Sequence, residues 1–199
     1  MAEWDADSPR LRRNLTEVLR DARDRAVRRD VPTVEDARRW QRDTMAGLDV
    51  PDPKYIGRFR GEPGLETTRI WINAHEGVRP GEVAQELTAF EQTLRRAVAA
   101  LDARYPPGQE LDSDGLAAVI DVCAWAHAEW VRIHPFGNGN GRTARIWANA
   151  LLMRYGVPPV VRVRPRPDGG YGRAGAAAME GDWRPTAAVF WRMLGESST

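Results

Sequence analysis

The chain has 199 residues, with 29 basic and 28 acidic side chains giving a formal net charge of +1 at pH 7. That length suits one domain with a substantial core, and so balanced a charge supplies no overall field toward nucleic acid or an anionic membrane. Cys123 is the single cysteine, which excludes an internal disulfide and fits a reducing cytosol. The opening Met1-Ala-Glu-Trp-Asp lacks the basic and apolar stretches of a secretory signal, and no run of ~18 apolar residues offers a membrane span. A cytoplasmic protein is the expectation.

From Pro9 to about Arg29, Leu11, Leu15, Val18, Leu19, Ala22 and Ala26 form a helical stripe under a charged outer face. Asp21, Asp24, Asp30, Glu35 and Asp36 interleave with the arginines of residues 10–42, so this face reads as solvated surface, not as a nucleic-acid contact. Pro32 breaks the first helix. Thr33 with Asp36 then predicts a capped second helix whose inner face carries Val34, Ala37, Trp40, Thr44 and Leu48, ending at Pro51 and Pro53.

Residues 54–79 change character. Tyr55–Arg60 and Thr67–Ile72 are short β-prone runs joined by Gly61-Glu-Pro-Gly64, which predicts a hairpin. In a chain otherwise helical, an isolated hairpin is marginal unless it packs on the core or does a job. Pro80 then opens the clearest amphipathic helix, with Val83, Leu87, Phe90, Leu94, Val98 and Leu101 on one side, and Tyr105-Pro-Pro-Gly108 stops it. The next helix starts near Asp112 or Ser113 and carries Leu116, Val119, Ile120, Cys123, His127 and Trp130. His127 reads there as a packed or surface histidine.

That helix delivers His134 to the stretch His134-Pro-Phe-Gly-Asn-Gly-Asn-Gly-Arg-Thr-Ala-Arg145. A loop rich in Gly and Asn that opens onto a helix presents backbone N–H groups to an anion. Arg142 and Arg145, three apart, share a helix face and can grip one phosphate chain. His134 stands at the edge of the loop, where a base could take a proton from a second substrate. The following helix, with Ile146, Trp147, Ala150, Leu151 and Tyr155, is apolar on most sides and should be the central one; it ends near Gly156. From Asp168 onward, Tyr171, Ala174–Met179 and Gly181-Asp-Trp-Arg-Pro185 predict a short helix, a turn and a last helix to about Leu194.

The stretch from His134 to Arg145 resembles the signature of the Fic family, His-Pro-Phe-x-(Asp/Glu)-Gly-Asn-Gly-Arg-x-x-Arg, with one departure: Asn138 stands at the acid position. The likeness extends over roughly residues 54–194 and is nearest to compact bacterial Fic proteins. It implies an all-α fold with a small β-hairpin flap over the active site. Residues 1–50 would be accessory helices packed on a Fic domain of residues 51–199, with flap 54–79, core helices 80–156 and C-terminal helices 168–194. It implies AMP transfer from ATP to a Tyr, Thr or Ser hydroxyl of a target protein. His134 would be the general base, with Pro135 and Phe136 as its structural anchor. Gly137, Asn138, Gly139, Asn140, Gly141, Arg142, Arg145 and Tyr171 would bind the nucleotide, the Asn140 side chain included. Arg69, Ile70, Trp71 and Ile72 of the flap would align the target by strand pairing, which reads main chain more than side chain.

The family acid binds Mg²⁺. An amide at Asn138 keeps one oxygen and loses the charge, so Mg²⁺ or Mn²⁺ should be held weakly by the protein and rest mainly on the nucleotide phosphates. The resemblance further implies a restraining glutamate opposite Arg145. Glu76-Gly77 and Glu180-Gly181 are the nearest candidates, but Ile72 and Ala176 fill the Ser/Thr positions of that motif, so either a separate small helical antitoxin supplies the restraint or none is needed because Asn138 already slows the site. Two other readings stay open from the residues. One is phosphoryl transfer or another donor on the same fold, against which Gly141 stands, since the phosphorylating branch resembles this loop with Lys there. The other is a nucleotide-binding pseudoenzyme, suggested by Asn138.

Overall fold

The computed structural model describes residues 7–72 and 74–197. Residues 1–6, read above as lacking a secretory signal, lie outside the described residues, as do 73, 198 and 199. Among the described residues are seven α-helices: α1 (Pro9–Val27), α2 (Val34–Met45), α3 (Val83–Arg104), α4 (Ser113–Ile133), α5 (Asn140–Arg154), α6 (Tyr171–Met179) and α7 (Arg184–Ser197). One antiparallel hairpin joins β1 (Trp71–Ile72) to β2 (His75–Glu76). Among the described residues no helix is long and apolar enough to cross a membrane.

Helix starts follow from local chemistry. Ser8 accepts from Leu11 N–H at 3.1 Å ahead of Pro9. Thr33 and Asp36 form the expected reciprocal capping box, each side chain taking the other's backbone N–H. Asp112 caps α4 by accepting from Gly115 N–H at 2.7 Å. Each cap satisfies a donor that would otherwise lack a helical partner.

Helix α5 is the centre of the molecule, as its pattern predicts. All of its 15 residues except Gly141 and Met153 are buried, so it is enclosed on every side. Helices α1 and α2 pack on one flank, and α4 packs along the other and carries α3, α6 and α7. An aromatic chain ties these layers together: Trp147 of α5 meets Trp40 at 5.3 Å, Phe90 at 5.2 Å and Trp130 at 5.6 Å between ring centroids. Trp130 passes the contact on to Phe136 at 5.9 Å. Edge and tilted contacts of this kind add specificity to the area they bury. Asp102 of α3 joins Arg154 at 2.6 Å and Arg29 at 2.8 Å, fixing α1, α3 and α5 at the end remote from the loop.

The hairpin exists, but not between the predicted runs. Tyr55–Arg60 is no strand: a single 3-10 turn, Pro53–Tyr55, leads into it, and only Phe59 makes a β-bridge, to Phe136. The ladder instead joins Trp71 to Glu76 and Ile72 to His75. The physical reason is burial. Phe59 and Arg60 are almost fully enclosed, and their backbone pairs with the 134–136 segment, Arg60 N–H donating to Pro135 O at 2.7 Å. Backbone already spent there cannot ladder with Thr67–Ile72.

Candidate active site

His134 ends α4 in the left-handed conformation, with φ 52°, uncommon for a residue with a side chain and characteristic of functional sites. Its Nδ1 lies 2.9 Å from Val131 O. A carbonyl oxygen only accepts, so Nδ1 carries the proton and Nε2 keeps the lone pair. Burial, with the Arg60 guanidinium nearby, pulls the imidazole pKa down to about 4. The residue is therefore neutral at pH 7, with a basic Nε2.

The loop that follows is clamped from within. Asn140 accepts from Phe136 N–H at 2.8 Å and donates to Phe136 O at 2.8 Å. The Asn140 side chain, expected to touch a phosphate, also closes the loop on itself. Phe136 is fully buried against Phe59, 4.8 Å away. Gly139 precedes α5 with φ 88°, and a Cβ there would stand 3.0 Å from Met45 Cε; this turn suits glycine on both counts. The first intrahelical bond runs from Thr143 N–H to Gly139 O, so the N–H groups of Asn140 and Gly141 come before it. They sit at the positive end of the central helix.

The loop, α6, the hairpin and the segment after α5 enclose a pocket of about 430 Å³. Of the expected residues, His134, Gly137, Asn138, Gly139, Asn140, Gly141, Arg142, Arg145, Tyr171 and Ile72 all line it. Pro135 and Phe136 are buried behind them. Trp71 is 58% exposed on the hairpin. Arg69 is turned to its own hairpin, paired with Glu76 and lying over the Trp71 ring, while Ile70 O accepts from Gly77 N–H at 3.1 Å. Gly77 runs so close over the base that a Cβ on it would fall 2.8 Å from His134 Cβ.

Sequence reasoning missed four contributors. Arg164 and Arg166 also line the pocket. They belong to a segment pinned along α5, where Asn149 clasps Val161 through two hydrogen bonds and Arg145 Nε donates to Val163 O at 3.1 Å. The alternation Val161-Arg-Val-Arg164 was the legible signal, a period of two with valines inward. Gln41 bridges Tyr55 O and Asn138 O and accepts from Gly57 N–H, and Met45 Sδ lies 3.6 Å from Arg142. Helix α2 thus supports the loop directly.

Arg145 Nη1 donates to Tyr171 Oη at 3.1 Å, and Tyr171 Oη lies 2.6 Å from His127 Nε2. His127 is thus a packed histidine that orients Tyr171. Its burial, with Arg145 nearby, pushes its pKa to about 3. Neither Glu76 nor Glu180 meets Arg145; Glu76 pairs with Arg69, and Glu180 stands 3.9 Å from His75 Nε2.

The depressed histidine has a consequence for stability. From an ordinary 6.5, the unfolded chain takes up a proton as pH falls while the folded one does not, so stability is lost below that value. Between pH 7 and pH 5, His127 alone should remove roughly 2 kcal/mol of unfolding free energy. His127→Gln should shrink the pH 7-to-5 difference by that amount in urea titrations; an unchanged difference would show that His127 accepts a proton in the folded state.

Arg142, Arg145, Arg164 and Arg166 line the pocket, and among the described residues no Asp or Glu lines it. Its side-chain oxygens are already engaged: Asn138 Oδ1 accepts from Arg142 at 3.2 Å, Asn140 Oδ1 from Phe136 N–H, and Tyr171 Oη from Arg145. Among the described residues no three His, Cys, Asp or Glu side chains group as a metal would require. A hard divalent cation seeks several free oxygens, so these residues do not fit a resident Mg²⁺. A second cavity of about 540 Å³ lies beside α2 and α3, but its charges are matched, Arg38 with Glu62 at 2.7 Å and Arg95 with Glu91 at 2.6 Å.

The Fic/DOC family model matches residues 32–152. The protein adenylyltransferase Fic of Drosophila grimshawi is 33% identical over 134 residues, covering 67% of this chain and 23% of that protein. The protein of the same name from Nematostella vectensis is 33% identical over 135 residues, 67% of this chain and 26% of its own. The chain therefore spans about a quarter of these relatives. A Fic-domain-containing signaling protein from Bacteroides thetaiotaomicron has a similar structure, with a TM-score of 0.60 at 19% identity over 92% of this chain and 66% of that one. Fic-1 from C. elegans gives 0.57 at 26% identity, over 98% and 55%.

Proposed function

This chain belongs to the Fic/DOC family, and from that premise we propose that it transfers the AMP part of ATP to a side-chain hydroxyl of a target protein. The observation that carries the reading is the meeting of a neutral imidazole base with a helix N-terminus and four arginines in one pocket. The target hydroxyl gives its proton to His134 Nε2 as its oxygen attacks the α-phosphorus. The bond from that phosphorus to the bridging oxygen of the β-phosphate breaks, and pyrophosphate leaves. Arg142 and Arg145 face the charge that develops on the leaving group, where fixed positive charge contributes most. Backbone N–H groups of Asn140 and Gly141 steady the phosphates, and Gly172, Gly175 and Ala176 of α6 leave flat space beside Tyr171 for a nucleobase. The described residues of the pocket do not fit a resident Mg²⁺, so such a cation would enter with the nucleotide substrate. Ile72 at the pocket rim and exposed Trp71 give the hairpin an edge to which an extended target segment could pair.

Incubating the purified chain with lysate and ATP labelled at the α- or the γ-phosphate tests this. Protein label from α-ATP alone supports AMP transfer. Label from γ-ATP replaces it with phosphoryl transfer, and binding of ATP without label from either leaves the pseudoenzyme reading, which Asn138 favours.

A further inference from the structure

We infer that His127 is a positioning residue: through the Tyr171 phenol it sets where the Arg145 guanidinium meets the leaving pyrophosphate. The inference rests on the reading of the pocket as a nucleotide-transfer site and adds which buried group holds the second arginine of its loop.

Three observations carry it. First, Arg145 is held by bonds to elements other than its own helix: Nε donates to Val163 O at 3.1 Å and Nη1 to Tyr171 Oη at 3.1 Å. A guanidinium carries five donors in a rigid fork, so the direction of these two bonds decides how the rest of the fork faces an anion. A Cβ on Gly141 would stand 3.3 Å from Nη1, which puts this nitrogen beside the backbone assigned to the phosphates. Second, Tyr171 depends on a side-chain tie for its place. It is the first residue of α6 and follows Gly169 and Gly170, both left-handed at φ 59° and 93°, and glycines by themselves do little to restrict such a joint. Third, His127 is the fixed end of the chain. It stands inside α4, 2% exposed, with its ring edge-on to Tyr171 at 5.5 Å and to Phe190 at 5.4 Å between centroids. Nε2 lies 2.6 Å from Tyr171 Oη, while Nδ1 has no hydrogen-bond partner among the described residues. Packing alone would be served at lower cost by an apolar side chain, since a buried polar atom left unpaired is expensive. What the imidazole adds over such a side chain is the bond to Oη, and in either tautomer that bond fixes the phenol oxygen that Arg145 meets.

The test pairs calorimetric titration of the full chain with inorganic pyrophosphate and the rate of AMP transfer at saturating ATP, both referred to the folded fraction. His127→Leu should weaken pyrophosphate binding and lower the transfer rate by about tenfold each, the scale of one hydrogen bond to a charged group and of a misplaced catalytic charge. His127→Gln, whose amide reaches the position of an imidazole Nε2, should recover most of both. The decisive arm is a double-mutant cycle. Tyr171→Phe should cost about as much as His127→Leu, and adding His127→Leu to it should cost less than about twofold more. A packing defect at His127 would instead cost the same in both backgrounds. Losses that multiply independently therefore overturn the inference, as does a leucine variant of unaltered affinity and rate. If pyrophosphate binds but the unaltered chain transfers no AMP, the transfer reading falls and the cycle on affinity alone supports or overturns the role of His127. No pyrophosphate binding by the unaltered chain overturns both.

Discussion

His134→Ala should lower AMP transfer per folded molecule by about 10²–10⁴-fold, the usual contribution of a positioned general base. ATP affinity should change by less than about threefold, because the imidazole is assigned to the hydroxyl and not to the phosphates. The geometry also sets an unusual pH signature. A solvent-exposed histidine would lose its basic form below 6.5, whereas burial and Arg60 hold His134 neutral down to about 4. For the group as base, kcat/KM should stay level from about pH 7.5 to about pH 5.5 and fall only on approach to the lower value. Circular dichroism at each pH keeps loss of fold apart from loss of base, since His127 and His134, both held neutral in the folded chain, also draw down stability in acid. A limb centred near 6.5 would mean that the site opens to water before the proton moves. An alanine variant that transfers AMP at the unaltered rate would remove His134 from the mechanism.

The pocket was legible where the chemistry is local in sequence. Twelve consecutive residues carry the base, the helix N-terminus and two arginines, so spacing alone brings them together on either side of one turn. The helices were legible for a similar reason: stripes such as Leu11-Leu15-Val18 or Val83-Leu87-Phe90 need only the period of a helix and one buried side. Tertiary pairing was not encoded so simply. Tyr55–Arg60 has strand-forming residues, and what they pair with is decided by Phe136, 77 positions after Phe59. No hairpin rule sees a partner at that distance. Gln41 lies outside the apolar stripe read from the sequence, and only the fold shows its amide bridging two loops. The Asn140 side chain was read as a phosphate contact from the resemblance of the loop to the Fic signature. That it also clasps Phe136 depends on a rotamer that the motif does not specify.

Arg60 is the other residue whose loss should be felt most, and nothing in its neighbourhood of sequence marks it. It is 1% exposed, yet its guanidinium meets no carboxylate among the hydrogen bonds of the described residues. It donates to His134 O at 2.7 Å, Ile133 O at 2.9 Å, Val78 O at 2.7 Å and Thr68 O at 3.3 Å. Two of these carbonyls end α4, where a cation is favoured by the helix dipole; the others belong to the segments that lead into and out of the hairpin. Burial lowers its pKa to about 10, which still leaves it charged at pH 7. One side chain thus fastens the hairpin to the base and holds the left-handed turn at His134. Arg60→Met relieves the cost of a buried charge but strands several carbonyls, and the second effect should win by about 2–4 kcal/mol in urea unfolding at pH 7. Arg60→Lys should recover part of this, since an ammonium group reaches fewer of the four acceptors. The decisive comparison is transfer rate at saturating ATP, measured on the fraction that remains folded. A fall of tenfold or more, with ATP affinity nearly unchanged and partial rescue by lysine, would show that Arg60 positions the base. Reduced stability with an unaltered rate would show that the turn at His134 is held by the helix and loop alone.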